Sequence, residues 1–275
     1  MPLQGMTFYV SIELTLRKKV VFFMSGSRRH TLAVLTACVA FVIFGFSFMF
    51  SSIALSITAP MVLLCCRFVA AVVTLSLVVG LNALVGRIRG QAWFSFSLKG
   101  KPLGGLILLG LVQPVFYLVF ENYSILYTSS AVTGTVLAVV PVICILVDVF
   151  VSHESVSKLQ VVCAVACVAG VALVETGGES RVSLLGSLCL LMTLVCDVGY
   201  YALSRRASQR FSPLEVTYVM FLMGMLVFVP AALIQGRGQM AELFLPALRS
   251  GAFWGSVWFL GAVSSVGAYG LLNFA

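Results

Sequence analysis

Long apolar runs alternate with short polar gaps along almost the whole of this chain. Eight runs stand out, roughly Thr31 to Ile53, Met61 to Val85, Leu103 to Tyr123, Ser129 to Val151, Leu159 to Val174, Val182 to Ser204, Val216 to Ile234 and Gly251 to Ala275. A bilayer core about 30 Å thick is crossed by about 20 apolar residues of helix. Inside that core each backbone N–H and C=O must be paired within its own segment, which leaves helices as the elements these runs can form. The pattern therefore predicts an all-α integral membrane fold with eight spans. Residues 1–30 read as an N-terminal segment on the cytosolic side. The run after Arg28, Arg29 and His30 is too long for the apolar region of a cleaved signal peptide, so it is read as a retained first span. Met24, just before the basic cluster, would also make a natural start.

Composition removes the soluble alternatives. Of 275 residues, 61% are hydrophobic and 9% charged, against roughly a quarter charged in an ordinary soluble domain. The net charge of +8 would suggest nucleic acid in a soluble protein. Here the basic residues instead sort by gap. With the N-terminus inside, the cytosolic segments hold Arg17, Lys18, Lys19, Arg28, Arg29, Arg87, Arg89, Lys99, Lys101, Lys158, Arg205, Arg206 and Arg210. The outer loops hold Arg181, Arg237 and Arg249, and Arg67 lies within a span. Short loops with this bias predict a cytosolic N-terminus, and a multi-pass protein of the plasma or inner membrane. The eight cysteines all fall inside apolar runs, where they read as small packing residues and not as disulfides or metal ligands. His30 and His153 sit at span edges, so no metal site and no cofactor are expected.

An internal repeat is legible. Leu109, Gly110 and Asn122 of the third span recur as Leu260, Gly261 and Asn273 of the eighth. Pro60 and Phe68 around the second span recur as Pro213 and Phe221 around the seventh. The offsets are 151 and 153. A unit of about five spans crosses an odd number of times, so its second copy enters the membrane upside down, as in secondary transporters whose substrate binds between inverted halves. The first unit is read as 31–175 and the second as 182–275, which then holds three spans. Five spans plus three implies that two are missing, about 50 residues by the span-length rule.

The stretch from Leu109 to Val174 carries a family likeness. A third span ends Glu121, Asn122, Tyr123, Ser124; Tyr127, Thr128, Ser129, Ser130, Ala131 follow; Pro141 lies mid-span. His153 and Glu154 open a loop running to Lys158, Leu159 and Gln160, and Gly170 sits in a small-residue fifth span. This resembles the EamA-like family of the drug/metabolite transporter superfamily, and Arg67 in the second span is similar to the family pattern as well. The resemblance implies ten spans in two inverted five-span repeats, and transport of small metabolites, often amino acids or their relatives, usually outward. The two absent spans depart from that pattern and put transport by this chain alone in question.

Ionisable groups within spans cost about 2.5 to 3.5 kcal/mol on insertion scales, so each needs a role or a partner. Arg67, about 10 Å below the outer end of its helix, can bind a substrate carboxylate; its structural alternative is a pairing with Glu121. Asp197 can exchange a proton or bind an amine. Asp148 is read as facing the loop arginines. Gln113 with Pro114 interrupts the third span, because proline lacks the donor its helix needs; Pro141 does the same in the fourth, and both are candidate hinges. Tyr117, Asn122, Tyr200, Tyr201 and Asn273 complete the candidate substrate-binding set. Cys163, Ala166, Cys167 and Gly170 give the fifth span a small face, and Gly251 with Gly255 does so in the eighth.

The function these residues imply is a secondary transporter working by alternating access, and the resemblance implies that it exports a small metabolite such as an amino acid or related compound. The expected partners are a small-molecule substrate, the lipid bilayer and a coupled proton, with a homodimer left open and nucleic acid excluded. A truncated, non-transporting remnant and a nucleotide-sugar or phosphate-ester carrier are the alternatives. The second would need more cavity-facing basic residues than Arg67 alone. No phosphate-binding loop and no Ser/His/Asp or H-E-x-x-H set is present, so ATP drive and an enzymatic function are not expected.

Overall fold

Helices form where the apolar runs predict them, and serines and prolines mark where they begin. The computed structural model describes residues 26–89, 96, 98, 101–150, 156–176, 183–237 and 240–268. The helices are α1 (Gly26–Leu55), α2 (Pro60–Arg89), α3 (Gly104–Gly110), α4 (Tyr117–Tyr127), α5 (Ser130–Leu137) and α6 (Val140–Phe150). After these come α7 (Lys158–Thr176), α8 (Leu184–Ala207), α9 (Pro213–Gln235), α10 (Met240–Arg249) and α11 (Gly251–Trp258). A wider π-helical segment, Leu111–Phe116, joins α3 to α4, and a second, Phe259–Ala268, continues α11. The hydroxyls of Ser129, Ser183 and Ser250 accept from the third N–H of their helices, supplying partners for donors a helix start leaves open. Pro60 and Pro213 begin α2 and α9, where a missing N–H costs nothing.

The protein is an all-helical integral membrane protein. Among the described residues, seven helical segments are long and apolar enough to cross a membrane: Leu35–Leu55, Pro60–Ile88, Gly104–Tyr127, Ser130–Val147, Leu184–Ala207, Pro213–Gln235 and Gly251–Ala268. A shorter apolar helix, Lys158–Gly170, lies where the fifth span is expected. The third span runs four residues further than expected, to Tyr127, because its polar Glu121, Asn122 and Ser124 are buried and stay helical. Helix α10 was not expected at all. It is a short amphipathic helix whose Ala247 packs with Ala54, Leu63 and Phe253 while Leu245 and Leu248 stay exposed.

The polarity of the packing is the reverse of a water-soluble core. Leu77, Leu81, Val162, Leu184 and Trp258 are exposed, whereas Arg67, Glu121, Asn122, Thr193 and Ser264 are buried. Lipid takes the place of water around such a surface, so close helix contact rests on packing and interhelical hydrogen bonds. Helices α2 and α9 make the most extensive helix pair, and α4 packs along α8. Between α2 and α9, Phe68 meets Phe221 edge-on at 5.9 Å and Phe228 at 5.4 Å. Its ring fills the space left by Gly224, where an added Cβ would lie 2.5 Å from Phe68 Cδ1.

Two other glycine contacts come as a pair. A Cβ on Gly110 would meet the Met223 side chain at 3.1 Å, and one on Gly261 would meet Ala70 Cβ at 2.8 Å and the Arg67 carbonyl at 3.0 Å. Gly110 and Gly261 are separated by the 151-residue offset, Ala70 and Met223 by 153. The second contact is thus the first with its partners exchanged, and a π-helical segment follows or contains the glycine in each case.

Candidate functional site

The third span breaks where glutamine precedes proline. Gln113 has an extended backbone, φ −141° and ψ 119°, inside the π-helical segment, and both Gln113 and Pro114 are buried. The expected interruption is therefore a real one. The fourth span also comes in two pieces, α5 and α6, with Pro141 in the first turn of the second, where its missing N–H is tolerated. Pro141 is exposed, so it shapes the helix path without lining the interior.

Beyond the first break, α4 turns one polar face inward. Tyr117, Glu121 and Ser124 are buried at helical spacing, with Leu118, Asn122 and Ile125 beside them. Ser124 Oγ donates to the Glu121 carbonyl at 2.9 Å and lies 2.9 Å from Thr133 Oγ1, fixing this face against α5. Asn122 Nδ2 donates to the Leu118 carbonyl at 2.7 Å, while its Oδ1, buried, has no hydrogen-bond partner among the described residues. An orphaned buried acceptor costs about 1–3 kcal/mol, and such groups mark places where a ligand or water belongs.

Arg67 reaches the same region from α2. It is 4% exposed, and its Nε donates to Ser265 Oγ of the second π-helical segment at 3.2 Å. That bond uses one of the five N–H groups of a guanidinium. Next to Ser265, Ser264 Oγ is buried with no hydrogen-bond partner among the described residues. Arg67 and Glu121 make no direct ion pair, although each lies in the other's electrostatic field. The pairing considered from sequence is thus a longer-range one.

Asp197 supplies the third charge. It is half-buried on α8, and it interacts electrostatically with Glu121 and with Tyr200. Counted along their helices, Arg67 and Glu121 lie about 10 Å below one end and Asp197 about 10 Å deeper, at 1.5 Å per residue. Tyr200 is buried and hydrogen-bonded to Ser204, and Tyr201 is half-buried. Small residues let these helices close up: Gly186 of α8 faces Thr128 and Tyr127, and Gly199 faces Val112.

Of the candidate set, Arg67, Gln113, Tyr117, Asn122, Asp197 and Tyr200 are inside the bundle, and Arg67 and Asp197 are linked through Glu121. Asn273 lies outside the described residues, as do His153 and Glu154 and the segment 1–25. Sequence reasoning treated Glu121 as a mere counter-charge and passed over Ser264 and Ser265. A carboxylate well inside a span was the available signal for the first; serines in an apolar run give none. All eight cysteines are free thiols.

Comparison with known proteins gives the site a setting. Residues 31–176 match the EamA-like transporter family. Over 251 residues, 90% of this chain and 77% of the other, the sequence is 29% identical to the uncharacterized transporter YcxC of Bacillus subtilis (strain 168).

Proposed function

We propose, on the premise that this chain belongs to the EamA-like transporter family and is a multi-pass membrane transporter, that it exports a small zwitterionic metabolite such as an amino acid. The single observation that carries this reading is the buried Arg67, tied by one N–H to Ser265, in the field of Glu121 and above Asp197. A guanidinium with further donors suits a substrate carboxylate, and the carboxylates suit its ammonium group. Among the described residues Arg67 is the one buried guanidinium, too little positive charge for a phosphate ester or nucleotide sugar. The exchanged glycine contacts at offsets of 151 and 153 support two inverted halves with alternating access between them. The basic loops support a cytosolic N-terminus in the cell membrane.

Metabolites retained by cells with and without the intact gene test the substrate class. Cells lacking it should accumulate an amino acid or close relative; unchanged amino acids with a changed phosphate ester would overturn the reading. Proton coupling is assigned to Asp197, the deeper carboxylate. In proteoliposomes, uptake of the responding amino acid should rise several-fold when a pH gradient is imposed. Asp197→Asn should leave uptake insensitive to that gradient, and retained sensitivity would remove Asp197 from the coupling role.

A further inference from the structure

At the face that carries Arg205, Arg206 and Arg210, a charged tie joins the two units of the chain. Lys101 Nζ, just before the third span, contacts Glu215 Oε2 at the start of α9, 2.5 Å away. Glu215 is deeply buried, its side chain 3% exposed, and Lys101 is partly covered at 33%. Their attraction is therefore screened less than that of a surface pair. The same Oε2 accepts from Ser212 N at 3.0 Å, and Ser212 Oγ accepts from Glu215 N at 3.4 Å, a reciprocal cap that fixes the carboxylate. The positive end of α9 favours a negative charge at this point. Lys101 Nζ also stands 5.4 Å from the centre of the Phe211 ring. Immediately deeper, Ser76 Oγ of α2 lies 3.3 Å from Tyr218 Oη of α9, and the Tyr218 ring meets Phe96 at 5.3 Å. Three spans are thus drawn together at one face by groups from both units.

We propose that the Lys101–Glu215 pair is a latch that holds the basic face of the transporter shut, and that it must open each time this face opens to substrate. The inference rests on the alternating-access reading above. The opposite face is tied by neutral groups, a hydrogen bond from Thr58 Oγ1 to the Leu243 carbonyl at 2.8 Å and an apolar cluster in which Ala54 and Leu63 pack with Ala247 and Phe253. Neither partner of the latch touches the Arg67 site, so it acts on the equilibrium between states and not on the binding groups.

The test needs no substrate. In full-length protein with its native cysteines replaced by alanine, a single cysteine is placed by Ser76→Cys, beneath the latch. A membrane-impermeant maleimide is then applied to vesicles of both orientations, and labelling from the basic face is timed. Lys101→Gln and Glu215→Gln should each speed labelling at least about fivefold, with Gln at 215 retaining the helix cap. Lys101→Arg should stay slow. The double glutamine variant should label no faster than either single, because both remove one interaction. Unchanged rates in the single variants, or multiplied rates in the double, would overturn the latch. Thermal midpoints measured alongside identify any variant whose fast labelling reflects unfolding. A failed latch leaves the transport assays unaffected, so the two readings are distinguishable.

Discussion

Replacing Arg67 by methionine is expected to remove stability and transport together, whereas combining it with Glu121→Gln returns the stability and not the transport. The guanidinium is buried within a span and sits in the field of Glu121. Taking away the positive charge leaves a buried carboxylate without its compensating field; because no direct ion pair joins the two, the loss should fall below the roughly 3 kcal/mol of one-sided removal from a contacting buried pair. Neutralising Glu121 as well removes the uncompensated charge, and replacing both members of such a set by uncharged groups of similar volume is often close to neutral. Transport behaves differently, because methionine at position 67 has neither charge nor hydrogen-bond donor to offer a substrate carboxylate. Thermal midpoints in detergent and amino-acid uptake into proteoliposomes, measured on the same three variants, separate the two effects. Uptake restored in the double variant would make Arg67 a structural residue and remove it from the binding set.

The second large effect lies where α2 meets α9. Gly224→Val is expected to lower the thermal midpoint by several degrees, since the first added carbon would already stand 2.5 Å from the Phe68 ring. That ring is fully buried and already in contact with Phe221 and Phe228. Overpacking of this kind costs about 1–3 kcal/mol. Phe68→Leu alone should also destabilise, by leaving a void, but the pair Phe68→Leu with Gly224→Val should be closer to the parent than either single change. Additive losses would show that the two side chains do not compete for one space.

How much of this was legible beforehand follows from the physics of each feature. Spans were readable because bilayer thickness imposes a length on apolar runs, and Pro213 announced the seventh; the cap that Ser212 and Glu215 form around it was passed over, and the helix starts three residues before the expected Val216. The break at Gln113 followed from proline's missing donor, although nothing in the letters foretold a π-helical segment around it. The end of the third span was misplaced since Glu121, Asn122 and Ser124 look like loop residues until their burial is known. Helix α10 escaped because ten residues with Pro246 among them fall short of any span, and a short amphipathic helix is stabilised by what it lies on. Lys101 and Glu215 are 114 positions apart, and two ordinary loop-edge charges at that separation carry no sign of contact.

The two inverted units proposed above would be unequal in one respect. At the 153-residue offset the counterpart of Glu215 is Val62, a buried aliphatic residue incapable of holding a cation. A carrier with such lopsided ties is not thereby a valve: at equilibrium, detailed balance forces its forward and reverse fluxes to be equal whatever its resting posture. Lopsidedness instead appears in apparent affinity, which falls by the fraction of time a binding-competent face is on offer. Cutting the charged tie should therefore lower half-saturation for substrate presented on the Lys101 side relative to substrate presented on the Thr58 side.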